Sequence, residues 1–68
     1  MIARVTLEIA VRKEFDYSIP PELKERIEVG TRVKVPFGPR LVIGVVTALV
    51  DSSPHTNLRA ISSAVGVS

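Results

Sequence analysis

The fold is decided by the stretch Thr31-Arg32-Val33-Lys34-Val35-Pro36-Phe37-Gly38. Valines alternate with basic residues along it, so the valines are expected to face a core while Arg32 and Lys34 face solvent. Because proline has no backbone N–H to donate to a neighbouring strand, we expect the strand to stop at Pro36 and the chain to turn through Gly38. This stretch therefore predicts a half-buried strand followed by a tight turn.

Four other segments have the character of strands. Residues 2–11 and 15–19 alternate apolar with polar side chains, which is typical of strands with one buried face. Residues 41–50 are nearly continuous in valine, isoleucine and leucine. This composition predicts burial on both faces or a bend between two parts of a barrel, with Gly44 marking a bulge or corner. Residues 58–65 are expected to form a last, weaker strand.

The segments between these strands are rich in turn-forming residues. Pro20-Pro21 is expected to end the second strand, and residues 21–26 have the early proline and acids of a single helical turn. Val29-Gly30 predicts a turn and residues 51–57 a polar loop. We therefore predict a mainly β fold, a small curled antiparallel sheet or open β-barrel of about five strands with at most one short helical turn.

Length and composition limit the domain organisation and the function. The chain of 68 residues is expected to be a single domain, residues 1–68, with a thin core. It contains no cysteine and one histidine, which excludes disulfides and argues against a structural zinc site. No apolar run approaches the roughly 18 residues that span a bilayer. We therefore expect a cytoplasmic protein without a membrane partner.

Charge is distributed unevenly along the chain. Residues 1–30 contain five basic and six acidic side chains, and residues 31–68 contain four basic and one acidic, which together give the net charge of +2. The second part carries the whole positive excess. Such a distribution favours an anionic partner, although it is also ordinary for a small domain.

The sequence contains no recognisable catalytic constellation. His55 lies beside Pro54 in the polar loop and is expected to be solvated, because no nucleophile accompanies it. There is no glycine-rich phosphate loop and no spacing of metal ligands. We therefore predict that this segment is not an enzyme and binds no cofactor itself.

Two of the three aromatic residues bracket a carboxylate in Phe15-Asp16-Tyr17. One interpretation is structural: the aromatics fill the core and Asp16 is solvated. In the other, an aromatic ring stacks on a nucleic-acid base while Asp16 accepts a hydrogen bond from a sugar hydroxyl. An internal 3′ oxygen is esterified and cannot donate, so such a carboxylate would favour a free 3′-hydroxyl and repel a continuing phosphate.

Three residues of the second half also have two interpretations. Gly38 could serve only to relieve strain in its turn, or its missing side chain could let a nucleotide approach the backbone. Arg40 and Arg59 could be solvated surface charges, or they could neutralise phosphate or lie against a base.

The order of these motifs resembles a known domain family. Phe15-Asp16-Tyr17, an Ile-Pro pair, residues 29–38 (VGTRVKVPFG) and Ile43-Gly44-Val45-Val46 resemble the amino-terminal domain of the replication-restart helicase PriA, also called primosomal protein N′. Leu58-Arg59-Ala60-Ile61 continues the resemblance, where the family has a Leu-Lys-Ala-Val type of segment. The resemblance covers nearly the whole chain.

The resemblance implies a module that binds the free 3′ end of a DNA strand, such as the nascent leading strand at a stalled fork, largely without sequence preference. The binding residues that it implies are Phe15, Asp16, Tyr17, Gly38 and Arg59. Arginine stands at position 59 where the family has lysine, which keeps the charge but alters the geometry. Supporting positive charge is expected from Arg32, Lys34 and Arg40.

The resemblance also implies that the segment is an excised or truncated amino-terminal part of a larger ATP-dependent 3′-5′ DNA helicase. ATP and zinc would belong to that parent and not to this segment. The implied partners are DNA with a free 3′ end, branched or forked DNA, and other primosome proteins in the bacterial cytoplasm, associated with the nucleoid.

Two other functions remain open at this stage. A small open sheet could pair with a protein through an exposed strand edge, and self-association with a second copy is one form of this. A generic RNA-binding barrel of the translation machinery is the other, and it would prefer structured RNA to a DNA 3′ end.

Overall fold

The structure is a computed structural model that describes residues 1–8, 13–55 and 57–67. Of these, Val67 is described by its backbone alone. The strands are β1 (Ile2–Leu7), β2 (Glu14–Ser18), β3 (Thr31–Phe37), β4 (Arg40–Val50) and β5 (Ser63–Val67). They form one antiparallel sheet with the strand order β2-β1-β4-β3-β5. The predicted mainly β fold of about five strands is therefore confirmed.

Among the described residues, the helical content is one 3₁₀ turn, Pro21–Leu23, which begins at the proline as predicted. Pro21 has no backbone N–H, and this position tolerates the loss because the first N–H groups of a helix have no acceptor within it. No helix in the described ranges is long and apolar enough to cross a membrane.

The core lies on the concave face of the sheet. Alternate residues of the strands point into it, as the sequence predicts for β1 and β3, and they are joined by side chains from the connections. The buried apolar residues are Ala3, Val5, Leu7, Tyr17, Ile27, Val33, Val35, Val46 and Ile61. The end of the predicted first strand, residues 9–11, lies outside the described residues.

Strand β4 pairs with two neighbours along different parts of its length. Residues 40–45 pair with β3 and residues 44–50 with β1. A Cβ at Gly44 would lie 2.5 Å from Val5 Cγ1 and 2.9 Å from the Thr6 carbonyl oxygen, so the glycine allows β1 to approach closely. The register shift between β1 and β4 leaves Thr47 as the extra residue, so the irregularity expected at Gly44 occurs at Thr47 instead.

The β3–β4 hairpin continues through the proline that was expected to end it. Pro36 pairs with Leu41, and β3 ends one residue later. The pairing of β3 with β5 covers only residues 31–34, so the missing N–H of Pro36 falls where that ladder has already ended. The predicted turn through Gly38 is confirmed: its φ is +60°, which suits the first central residue of a two-residue type II′ turn.

The curl of the sheet brings strands together that are not neighbours within it. The Tyr17 hydroxyl on β2 donates to the Pro36 carbonyl on β3 at 2.9 Å. Ser18 also forms a parallel bridge with Ala60, in which its N–H donates to the Arg59 carbonyl at 3.0 Å. The predicted last strand, residues 58–65, is thus divided into this bridge and β5.

We predict that Gly44→Ala destabilises the fold by about 2 kcal/mol, because the new Cβ would overlap both a side chain and the backbone of β1. Urea unfolding monitored by circular dichroism measures this cost. Leu41→Ala, on the same strand but 56% exposed, is the control and should cost far less. Equal costs for the two variants would contradict the close approach at Gly44.

Candidate nucleic-acid interface

A cavity of about 280 Å³ opens at one end of the curled sheet. It lies between β2, the tip of the β3–β4 hairpin and the segment before β5. Its walls are formed by Phe15, Asp16, Tyr17, Pro36, Phe37, Gly38, His55, Asn57, Leu58 and Arg59. Three segments that are far apart in the sequence therefore meet at one concave surface.

The five residues singled out in the sequence all line this cavity: Phe15, Asp16, Tyr17, Gly38 and Arg59. The three supporting basic residues lie elsewhere on the described surface. Arg32 is 3.8 Å from Glu8, in a pair of largely exposed side chains that contributes little to stability. Lys34 and Arg40 are exposed on β3 and β4.

The aromatic residues of the cavity have different exposures. Tyr17 is buried, and its hydroxyl is bonded to Pro36, so its ring is a fixed inner wall. Burial raises the pKa of Tyr17, while the nearby Arg59 charge opposes this shift. Phe37 is 37% exposed and packs edge-to-face on the half-buried Phe15, with 5.3 Å between ring centroids. Phe37 thus carries exposed aromatic surface at the cavity.

The Asp16 carboxylate is held by two hydrogen bonds. Arg4 Nε donates to Oδ1 at 3.0 Å and the Ser53 hydroxyl donates to Oδ2 at 2.6 Å. The bond from Arg4 is the main reason why the pKa of Asp16 lies below its usual value; the bond from Ser53 lowers it too, and burial opposes both. The same pairing raises the pKa of Arg4. Asp16 is therefore an ionised acceptor at neutral pH, with 5% of its side chain exposed.

Arg59 and Gly38 also line the cavity and contact each other. Arg59 Nη1 donates to the Gly38 carbonyl at 2.9 Å, which holds the exposed guanidinium beside the hairpin turn. A guanidinium has five N–H donors, so most remain available to a ligand. A Cβ built on Gly38 meets no atom within 4 Å, so the space beside this glycine is open.

Half of the lining residues were not identified from the sequence: Pro36, Phe37, His55, Asn57 and Leu58. Phe37 had a usable signal, because it is an aromatic residue beside Gly38 in the same turn. His55 is exposed, as expected, yet it lines the cavity because the loop folds over the edge of β2. Asn57 has a φ of +58°, a conformation that asparagine tolerates better than most residues.

Metal-ligating side chains are not clustered in this part of the molecule. Across residues 1–8, 13–55 and 57–67, no group of three or more His, Cys, Asp or Glu side chains could hold a metal ion.

Comparison with known proteins gives a family match and several relatives. Residues 4–67 match the family model described as the 3′DNA-binding domain (3′BD) of PriA. The chain is 44% identical over 54 residues to the replication restart protein PriA of Bacillus subtilis, covering 75% of this chain and 7% of that protein. It is 32% identical over 63 residues to PriA of Chlamydia muridarum, covering 85% of this chain and 8% of that protein. The chain thus spans less than a tenth of the length of these relatives.

Proposed function

We propose that this chain, which belongs to the family of PriA 3′DNA-binding domains, binds the free 3′ end of a DNA strand largely without sequence preference. The observation that carries the proposal is that an acidic residue, Asp16, an aromatic residue, Phe37, and a basic residue, Arg59, line one cavity. Its volume of about 280 Å³ is close to the roughly 300 Å³ at which small-molecule pockets begin. A cavity of this size suits one nucleotide better than a longer stretch of strand.

The carboxylate of Asp16 distinguishes a strand end from a continuing strand. A carboxylate can only accept hydrogen bonds, and a terminal 3′-hydroxyl can donate one. An esterified 3′ oxygen has no proton to donate, and its phosphate would be repelled by the negative charge. The acid therefore contributes to specificity for the terminus, although it weakens general attraction for DNA.

The other walls suit the parts of a nucleotide that are common to all DNA sequences. A base can stack against the exposed surface of Phe37, which Phe15 supports, and every base has a face that stacks. Arg59 would meet the phosphate preceding the terminal sugar, a contact that carries no sequence information. Arg32, Lys34 and Arg40 lie outside the cavity and would add general, salt-dependent attraction for the strand.

In a longer protein, this binding would direct a replication-restart helicase to stalled forks through the nascent leading strand. We assign ATP hydrolysis, zinc binding and contacts with other primosome proteins to the remainder of such a parent. The proposed setting is the bacterial nucleoid in the cytoplasm, where forked DNA and its restart proteins would meet.

The proposed function predicts that affinity depends on the chemistry of the DNA terminus. Three fluorescent single-stranded oligonucleotides of one sequence, ending in a 3′-hydroxyl, a 3′-phosphate or a 3′-O-methyl group, are titrated with the protein in anisotropy measurements. The hydroxyl-ended strand should bind about tenfold more tightly than the other two, the effect of one hydrogen bond to a charged group. Equal affinities for the three strands would overturn the proposal.

Substitution of Asp16 shows whether this residue reads the terminus. Asp16→Ala should lower the affinity for the hydroxyl-ended strand most. Asp16→Asn keeps the shape of the side chain and should raise the affinity for the phosphate-ended strand by removing repulsion. Asp51→Asn removes the same charge from an exposed loop position and is the control. A uniform loss of affinity for all three strands would indicate a structural role for Asp16 instead.

A further prediction tests the open space beside Gly38. Gly38→Ala should weaken binding of the hydroxyl-ended strand about tenfold, because the methyl group would occupy space needed by the nucleotide. Gly30→Ala is the matched control, since Gly30 also has a positive φ and open surroundings but lies away from the cavity. Each substitution should cost about 1–2 kcal/mol in unfolding free energy. Equal affinities for the two variants would leave Gly38 with only a turn-forming role.

A further inference from the structure

Ser53 connects the acid of the cavity to the loop that follows β4. Its hydroxyl donates to Asp16 Oδ2 at 2.6 Å, a length typical of a hydroxyl bonded to an ionised carboxylate. The same oxygen accepts the His55 backbone N–H at 3.1 Å. One side chain therefore fastens the loop to β2 just before the chain reaches the cavity wall at His55 and Asn57.

Arg4 holds the other oxygen of the same carboxylate. It lies directly opposite Asp16 in the β1–β2 register, and its Nε donates to Oδ1 at 3.0 Å. An ionised carboxylate has about four lone-pair sites, so two remain after these bonds. With one donor on each oxygen, the plane of the carboxylate is fixed and its free lone pairs have defined directions.

We propose that Ser53 and Arg4 are positioning residues of the 3′-end site, which orient the Asp16 carboxylate toward a terminal hydroxyl. The inference rests on the proposed function and names two side chains outside the cavity lining that its specificity would require. A binding group must be held within roughly 0.5 Å of its productive geometry by a supporting shell of contacts. Ser53 has a second effect, because it also holds the loop that forms one wall.

Substitution of Ser53 tests the proposal. Ser53→Ala should lower the affinity for the hydroxyl-ended oligonucleotide about fivefold, the effect of one lost hydrogen bond. The affinity for the phosphate-ended oligonucleotide should stay nearly unchanged. The ratio of the affinity for the hydroxyl-ended strand to that for the phosphate-ended strand should therefore fall. Ser52→Ala, at the exposed neighbouring position, is the control and should keep the wild-type ratio. Ser53→Thr keeps the hydroxyl and should restore most of the ratio.

Substitution of Arg4 is an independent test that does not depend on the loop. Arg4→Gln should lower the same ratio, whereas Arg26→Gln removes an equal charge from an exposed turn and should not. In carbon-13 NMR titrations, the Asp16 carboxyl should have a higher pKa in both Arg4→Gln and Ser53→Ala than in the wild-type protein. A purely structural role would lower stability without changing the ratio for the folded protein.

The outcomes separate this proposal from the function on which it rests. If the wild-type protein binds all termini equally, the proposed function fails. If the wild-type protein discriminates and both Ser53→Ala and Arg4→Gln keep its ratio, the function stands and the positioning role is overturned. Should Ser53→Ala fail to fold by NMR, Arg4→Gln decides the question: a lower ratio supports the positioning role, and the wild-type ratio overturns it.

Discussion

The arrangement of the whole cavity depends on the hydrogen bond from the Tyr17 hydroxyl to the Pro36 carbonyl. These residues belong to β2 and β3, which are separated in the sheet by β1 and β4, so the bond forms only when the sheet curls. Tyr17 is buried, and leaving its hydroxyl without a partner would cost about 1–3 kcal/mol. The bond therefore holds the acid-bearing strand against the hairpin tip, and Phe15 consequently packs on Phe37.

The Arg4–Asp16 pair explains how the proposed site can contain a carboxylate and still bind a polyanion. Arg4 pairs with Asp16 from the neighbouring strand and offsets its charge, so the acid adds little to the long-range field around the cavity. At hydrogen-bond distance, however, Asp16 remains an acceptor, and a phosphodiester has no proton to donate to it. Arg59 contacts Gly38 and is not paired with Asp16. The proposed function thus assigns attraction for the strand and recognition of its end to different residues.

Much of this structure is predictable from local patterns in the sequence. The alternation around Val33 and Val35 predicts β3, and Gly38 predicts its turn, because both depend on neighbouring residues alone. Other features depend on which strands pair and in what register. The path of β3 through Pro36 follows from where β5 stops, and the Arg4–Asp16 contact follows from the β1–β2 register. Ser53 lies in a loop that has no alternation of apolar and polar residues, so its position cannot be predicted from sequence patterns.

In the proposed function, a DNA 3′ terminus occupies the cavity lined by Asp16, Phe37 and Arg59. A crystal structure of the protein with a short single-stranded oligonucleotide that ends in a 3′-hydroxyl tests it most directly. We expect the terminal sugar hydroxyl within hydrogen-bond distance of an Asp16 carboxylate oxygen and the terminal base against Phe37. An oligonucleotide bound along the outer face of the sheet at Arg32 and Lys34, with the cavity empty, would contradict the account.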